Sequence, residues 1–235
     1  MDTEPIFLDG IGHIKAPTVR QVRQNQKRYS LYIHLLYYDL ERYLKAAEIT
    51  MSDDMKHQIS LFDLITANAE TRTLFEEALS FFLCEEITFS EKEGIWVAAQ
   101  SGKPSGSIHK ENYDYLRCCL LELNHVDFSE DAAPKKFRNE KAREIYEKLQ
   151  KGKDQAQKQE KDAAPSLGDM VSSLCVQSNC YNLINVWDLT IYQLYDQFVR
   201  QNIKNQLDTT GLRWAAWGSE PFDFSLYYQS LGKKK

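Results

Sequence analysis

Histidine and cysteine are the residues of this chain best suited to metal binding or nucleophilic chemistry, and their spacing is unfavourable for both. Zinc sites need three or four His or Cys ligands at short, regular intervals. The histidines stand one at a time along the chain, at His13, His34, His57, His109 and His125. Cys175 and Cys180 are separated by four residues and have no neighbouring His or Cys partner. The sequence therefore predicts no metal ligands and no metal cofactor.

Acidic pairs and glycine motifs are equally uninformative about catalysis. Asp188 and Asp196 are too far apart for a coupled acid and base on one helical turn. Gly10-Ile11-Gly12 is a fragment of a dinucleotide fingerprint that lacks its third glycine and the strand–turn–helix context. We predict no catalytic residue, no cofactor and no enzymatic activity. A triad assembled from residues distant in sequence is the catalytic arrangement that these motifs leave open.

The remaining cysteines favour a structural interpretation. Cys84, Cys118 and Cys119 lie among apolar residues of predicted helices. Free cysteine behaves as a small hydrophobic side chain and is often buried. We therefore predict that the cysteines belong to the core.

Composition and charge indicate a globular protein of 235 residues with a net charge of −5 and a pI near 5.6. This acidic balance argues against a general nucleic-acid binder, because such proteins carry a basic excess. One basic patch is an exception to this acidic charge balance. It is formed by Lys15, Arg20, Arg23, Lys27 and Arg28. It predicts either phosphate contacts or, more simply, a helix face that balances acids elsewhere. No leader or membrane span is apparent, which predicts a cytoplasmic protein.

The first 130 residues predict an N-terminal hairpin and a helical body. Asp9-Gly10 lies between apolar residues, as in a type I′ hairpin turn. Thr18 and Gln21 have capping-box spacing, and one helix is predicted through "SLYIHLLYYDLERYLKAAEI". A second hairpin is predicted from Ile87–Phe89 and Ile95–Ala98, followed by a loop, "SGKPSGS", at residues 101–107.

A charged segment separates this body from the C-terminal part. The tetrapeptide Asp-Ala-Ala-Pro occurs twice and brackets a lysine-rich stretch with few apolar residues. We predict three regions: residues 1–130, a charged helical linker at 131–165, and a C-terminal helical segment at 166–235. The predicted fold class is α+β, predominantly α-helical, with the N-terminal hairpin and a second small hairpin near residues 87–98.

The C-terminal region has one strongly specified helix and an aromatic end. Thr190 and Gln193 predict an N-terminal capping box, with Leu189 and Leu194 as a hydrophobic staple. Behind this helix, aromatic residues crowd a short stretch that must pack on its own domain or on a partner. The candidate partner-binding residues are Trp214, Trp217, Phe222, Phe224 and Tyr228.

Several stretches resemble proteins from the tail-gene clusters of tailed phages and prophages of Gram-positive bacteria. They are "PIFLDGIGHIKAPTVRQV", "EALSFFLCEEITF", "ENYDYLRCCLLELN", "SNCYNLINVWDLTIYQLYDQF" and "WAAWGSEPFDFSLYY". Together, and in this order, they span nearly the whole chain.

The resemblance implies a non-enzymatic role in tail assembly. It points to a helical chaperone that binds the tape-measure protein and tail-tube subunits in the bacterial host cytoplasm, with self-association into a homo-oligomer left open. Such chaperones are often made in two lengths by frameshifting, for which the lysine-rich end Gly232–Lys235 would be suitable. The chain is long for a minimal chaperone, so a structural component of the virion tail or neck is the alternative. A nucleic-acid-binding regulator using the basic patch is a further one.

Overall fold

The protein combines helices with two small antiparallel sheets, which confirms the predicted α+β class. The computed structural model describes residues 4–56, 58–126, 165–218 and 223–228. The predicted linker at 131–165 lies outside the described residues except for its last position. The predicted region boundaries stay predictions.

The strands are β1 (Ile6–Leu8), β2 (Gly12–Ile14), β3 (Glu86–Ser90), β4 (Ile95–Gln100) and β5 (Lys103–Ile108). The helices of the N-terminal body are α1 (Val19–Gln24), α2 (Gln26–Tyr37), α3 (Leu40–Ala46), α4 (Asp53–Lys56), α5 (Leu61–Ala67), α6 (Ala69–Phe82) and α7 (Tyr113–Leu123). In the C-terminal part lie α8 (Leu167–Gln177), a 3₁₀ turn (Val186–Asp188), α9 (Ile191–Trp217) and a second 3₁₀ turn (Phe224–Tyr228).

The N-terminal hairpin forms as predicted, but its turn does not. Leu8 pairs with Gly12, and the Ile11 N–H donates to the Leu8 carbonyl at 3.1 Å. Gly10 has φ of +72°, whereas Asp9 is not among the described residues with positive φ. A positive φ at the second central position alone is the pattern of a type II turn. The type I′ prediction was wrong because the loop contains three residues and only glycine takes the left-handed conformation.

The second predicted hairpin is the first part of a three-stranded sheet with the order β3–β4–β5. The loop predicted at residues 101–107 was wrong, because most of that segment forms β5. Its Pro, Gly and Ser residues are poor strand formers, yet β4 supplies a full partner from Trp96 to Gln100. Pro104 and Gly106 are tolerated because β5 is an edge strand, with a register shift near Ala98 and Ala99.

One core unites the hairpin, the three-stranded sheet and helices α2, α5, α6 and α7. Its fully buried side chains include Phe75, Phe82, Trp96, Tyr113 and Leu116.

The prediction of a single helix around residues 30–49 was wrong in one respect. The chain breaks between α2 and α3, where Tyr38 is extended and Asp39 accepts the Arg42 N–H as an N-cap. Local capping therefore divides one apolar stripe between two helices.

A second core joins the beginning of the chain to its C-terminal helices. Val19 and Val22 of α1 pack with Met170, Val171 and Leu174 of α8 and with Val186, Ile191 and Leu194. Tyr29 of α2 contacts both cores, and its hydroxyl donates to the Asn124 side chain at 3.0 Å. The two cores are thus adjacent.

Two further sequence predictions differ from the structure, one about the aromatic end and one about the cysteines. The aromatic end does not begin after α9, because that helix continues through Gly211 as far as Trp217. The prediction that the cysteines belong to the core was wrong for Cys84 and Cys180, which are exposed. Cys118, Cys119 and Cys175 are partly buried, and Cys119 and Cys175 pack against the first and the second core. Larger apolar side chains fill the two cores instead.

Candidate protein-interaction surface

Helix α9 is buried only at its beginning. Its capping box is present as predicted, since the Thr190 side chain accepts the Gln193 N–H and the Gln193 side chain accepts the Thr190 N–H. Ile191 and Leu194 are fully buried in the second core, and Leu189 packs against the same cluster. The helix has 27 residues, which corresponds to a length of about 40 Å. Most of that length therefore lies beyond the core.

The outer part of α9 carries a second apolar stripe. Val199, Ile203, Leu207, Trp214 and Trp217 follow one another at helical intervals. At 3.6 residues per turn, these side chains lie within an arc of about 80°. None of them is buried, and their exposure ranges from partial at Ile203 to 84% at Trp217. A helix usually buries such a stripe against another element.

Four of the five predicted partner-binding residues lie in the described part of the chain, and all four are exposed. Trp217 and Tyr228 are the most open, with 84% and 87% of their surface accessible. Phe224 is 63% exposed and Trp214 is 38% exposed. Phe222 lies outside the described residues. Their role as a contact surface stays a prediction.

A hydrogen bond connects the second 3₁₀ turn to α9. The Tyr227 hydroxyl donates to the Asp208 carboxylate at 2.9 Å. Lys204 contacts the other oxygen of Asp208 at 2.6 Å. The hydrogen bonds from Lys204 and Tyr227 lower the pKa of the Asp208 carboxyl. The exposed Phe224 and Tyr228 are thereby placed beside the outer half of α9.

Glycine ends α9 at Gly218, whose N–H donates to the Trp214 carbonyl. A Cβ at Gly218 would lie 2.3 Å from Cδ1 of the Trp214 indole. The Trp214 ring therefore packs over the end of α9 at a place where only glycine fits. This packing restricts the orientation of the Trp214 ring.

Sequence reasoning missed several exposed apolar side chains on neighbouring elements. Val176 at the end of α8 is 83% exposed, and Leu183 and Ile184 in the following loop are 67% and 82% exposed. Asn182 and Asn185 hold this loop by hydrogen bonds to nearby backbone amides. The sequence did contain a signal for this exposure, because Leu183 and Ile184 stand between Asn182 and Asn185. Asparagine favours turns, and turns lie at the protein surface.

The basic patch is partly engaged within the protein. The Arg20 side chain pairs with Asp188 at 2.9 Å, and the Arg23 guanidinium lies 4.5 Å from the centre of the Trp187 ring. Both contacts attach α1 to the C-terminal part. Lys27 and Arg28 are exposed. The nucleic-acid interpretation of this patch stays a prediction.

His13 and Glu85 form a hydrogen-bonded pair that connects the N-terminal hairpin to the chain after α6. His13 donates its backbone N–H to the Glu85 carboxylate at 2.9 Å, and its Nδ1 lies 2.8 Å from the same carboxylate. Burial would raise the pKa of Glu85, but the hydrogen bonds from His13 outweigh burial and lower that pKa. The pair fastens the hairpin to the chain after α6. Within the described ranges, no group of three or more His, Cys, Asp or Glu side chains could hold a metal ion.

The fold and this surface define a predominantly helical α+β protein with an aromatic, solvent-exposed C-terminal helix. Residues 156–232 match the family model of the YomV second domain, a family of phage type, over less than half of the chain. The matched range contains α8, α9 and both 3₁₀ turns. No curated protein and no solved structure matches the chain. Among the helices of the described residues, none is both long and apolar enough to cross a bilayer.

Proposed function

We propose that this protein is a non-enzymatic interaction protein of phage tail assembly, acting as a chaperone for the tape-measure protein and tail-tube subunits. The observation that carries the proposal is the exposed apolar stripe of α9, which ends at Trp217. The exposed Phe224 and Tyr228 lie in the 3₁₀ turn that is bonded to the same helix at Asp208. The phage-type family match over the same residues supports it.

The chemistry of this surface suits a helical partner. Large aromatic side chains on a helix provide contact area at little cost in side-chain entropy, and Trp and Tyr dominate the energetics of protein interfaces. An amphipathic helix from a long partner can lie along an apolar stripe of this kind, with its own apolar residues at matching intervals. The tape-measure protein is the partner that the tail-gene resemblance names.

Co-expression with the tape-measure protein of the same tail-gene cluster tests the proposal. We expect the chaperone to raise the soluble fraction of the tape-measure protein and to co-purify with it. The double variant Trp217→Ala and Tyr228→Ala should weaken this binding about 30-fold, as the loss of roughly 2 kcal/mol at an interface hot spot does. Val176→Ala, at an equally exposed residue of α8, is the matched control and should bind normally.

Two outcomes would contradict the proposal in different ways. An unchanged solubility and no co-purification with the unaltered chain would exclude the chaperone role. Mass spectrometry of purified particles would then decide the alternative, because many copies per particle indicate a structural component of the tail or neck. Near absence from particles, together with co-purification, is the result expected of a chaperone.

A further inference from the structure

A cavity of about 520 Å³ lies at the opposite end of α9 from the aromatic surface. Three elements form its walls: the N-terminal hairpin, one face of α7 and the first turn of α9. Its volume falls in the range of about 300–1,000 Å³ that is usual for ligand pockets. Tyr192 on its wall is separated from Trp217 by about 38 Å along the helix. The cavity is therefore a second surface, separate from the one used in the proposed function.

The interior of the cavity is apolar and its charged side chains are acidic. Ile6, Leu8 and Ile14 of the hairpin face Leu123 of α7 across it. Glu4 and Glu122 are its ionisable carboxylates, and both residues are exposed. Among the described residues that line the cavity there is no lysine or arginine. Such a site favours a ligand with an apolar body and a positive charge.

The charges just beyond the cavity do not reverse this preference. Asp196 lies one turn after Tyr192, and its negative charge acts on the Tyr192 hydroxyl together with that of Glu122. Arg200 is a cation close to Tyr192, and its Nε binds the Asp196 carboxylate at 2.9 Å. The described lining residues thus include two Glu carboxylates and neither Lys nor Arg, which favours a negative local potential.

The edge of β1 indicates what form the ligand takes. The His13 N–H donates to Glu85, and the His13 carbonyl accepts the Cys84 N–H at 2.9 Å, so both groups point away from β1. His13 pairs with Phe7, which makes Phe7–His13 a non-hydrogen-bonded pair of the hairpin. The Phe7 N–H and carbonyl must then point to the outer edge of β1, where an extended peptide can bind.

We propose that the cavity and the β1 edge together bind an extended segment of a partner protein that carries apolar and Lys or Arg side chains on one face. The segment pairs with the Phe7 backbone as an added strand. Because alternate residues of a strand share one face, its apolar and basic side chains enter the cavity beside Ile6 and Leu8. The basic side chains then meet Glu122 and Glu4.

A fluorescent peptide with the core Leu-Ser-Lys-Ser-Leu, flanked by glycines, is the probe, and its binding to the full chain is followed by fluorescence anisotropy. The same peptide with Glu in place of Lys is the matched control. We expect the Lys peptide to bind at least tenfold more tightly, with a difference that narrows as salt is added. N-methylation of both serines removes whichever of their N–H groups donates to the Phe7 carbonyl, and it should therefore abolish binding.

Substitutions of the protein locate the site. Glu122→Gln should weaken the Lys peptide several-fold, whereas Glu86→Gln, at an exposed carboxylate of β3, should leave its affinity unchanged. Ala16→Phe places a ring in the cavity and should weaken both peptides more than tenfold, with folding checked by circular dichroism. Trp217→Ala should have no effect, which separates this site from the aromatic surface.

Three results would overturn the proposal. Equal binding of the Lys and Glu peptides would show that the carboxylates do not select the ligand. Unchanged binding to Ala16→Phe would place the peptide elsewhere, and tight binding of the N-methylated peptide would exclude an added strand. None of these results bears on the tape-measure interaction.

Discussion

At the scale of single residues, Glu85 shows how a buried charge can hold two distant segments together. Its side chain is 1% exposed, and its carboxylate accepts hydrogen bonds from the backbone and ring of His13, 72 positions away. A buried carboxylate without such donors would be costly. Gly12, the residue before His13, has φ of +132°, and a Cβ there would lie 2.8 Å from the Glu85 Cδ. Glycine is required for the carboxylate to reach His13.

Glu85→Gln should lower the free energy of unfolding by about 2 kcal/mol near neutral pH, because charged hydrogen bonds are lost in a buried place. The folded-state pKa of Glu85 lies below its ordinary value of 4.5. Its stabilisation is therefore complete above the unfolded pKa and is lost as the pH falls through the folded pKa. Urea unfolding from about pH 7 to about pH 3 should show the difference between the two proteins shrinking. Glu86→Gln, which is exposed, is the control, and a difference independent of pH would contradict this account.

At the scale of elements, two helix beginnings are joined to each other. Thr18 and Thr190, the N-caps of α1 and α9, form an antiparallel β-bridge. The Val19 N–H donates to the Leu189 carbonyl, and the Ile191 N–H donates to the Pro17 carbonyl, both at 2.8 Å. The first amides of a helix have no partner within the helix. Here each helix supplies an acceptor for the other, which explains how α1 is fixed in the second core.

Thr190→Ala should lower the free energy of unfolding by about 1 kcal/mol, the usual value of an N-cap. The loss of order should extend to α1, and amide exchange should therefore accelerate at Val19 as well as at Ile191. Ser166→Ala removes the comparable cap of α8 and should leave the Val19 amide unaffected. Hydrogen exchange measured by NMR distinguishes the two. If both variants affected Val19 equally, the bridge would not be the cause.

Gly106 is the residue of β5 at which the N-terminal hairpin contacts the three-stranded sheet. A Cβ at this position would lie 2.3 Å from the Ile11 carbonyl oxygen, and the next residue, Ser107, donates its N–H to the Gly10 carbonyl. Gly106→Ala should destabilise the protein by up to about 3 kcal/mol, because the obstructing atoms belong to the backbone. Gly168→Ala in α8 meets nothing closer than 3.7 Å and should be neutral or stabilising. Thermal unfolding compares the two variants, and equal melting temperatures would contradict the prediction.

At the scale of the whole molecule, the contacts of α1 and Tyr29 make the two cores interdependent. Val19 and Val22 of α1 belong to the second core, although α1 precedes every helix of the first core in the chain. Tyr29 touches both clusters and binds Asn124. Burial raises the pKa of its hydroxyl, so the phenol stays protonated as a hydrogen-bond donor.

The two cores should therefore unfold in one transition. Trp96 reports on the first core and Trp187 on the second. In a Trp214→Phe and Trp217→Phe background, replacing one of these two by Phe leaves the other as the sole tryptophan. We expect coincident denaturation curves from the two fluorophores. Tyr29→Ala should cost about 3 kcal/mol and separate the curves, whereas Tyr29→Phe should cost only about 1 kcal/mol. Separate curves in the protein that retains Tyr29 would show that the cores are independent.

Features that depend on neighbours three or four residues apart could be predicted from the amino-acid sequence. The capping boxes at Thr18 and Thr190 could be predicted because the side chain and the backbone amide that it caps lie within one turn. Local turn and strand signals likewise predicted the hairpins β1–β2 and β3–β4.

Features that depend on pairs of residues distant in the chain could be seen only in the folded structure. Segment 103–108 is a strand because β4 offers it backbone partners, although its own composition favours a loop. The attachment of α1 to α9, the pairing of His13 with Glu85 and the cavity beneath β1 bring together residues that are far apart in the chain. Local periodicity carries no information about such pairs, since their free energy appears only when both segments are already in place.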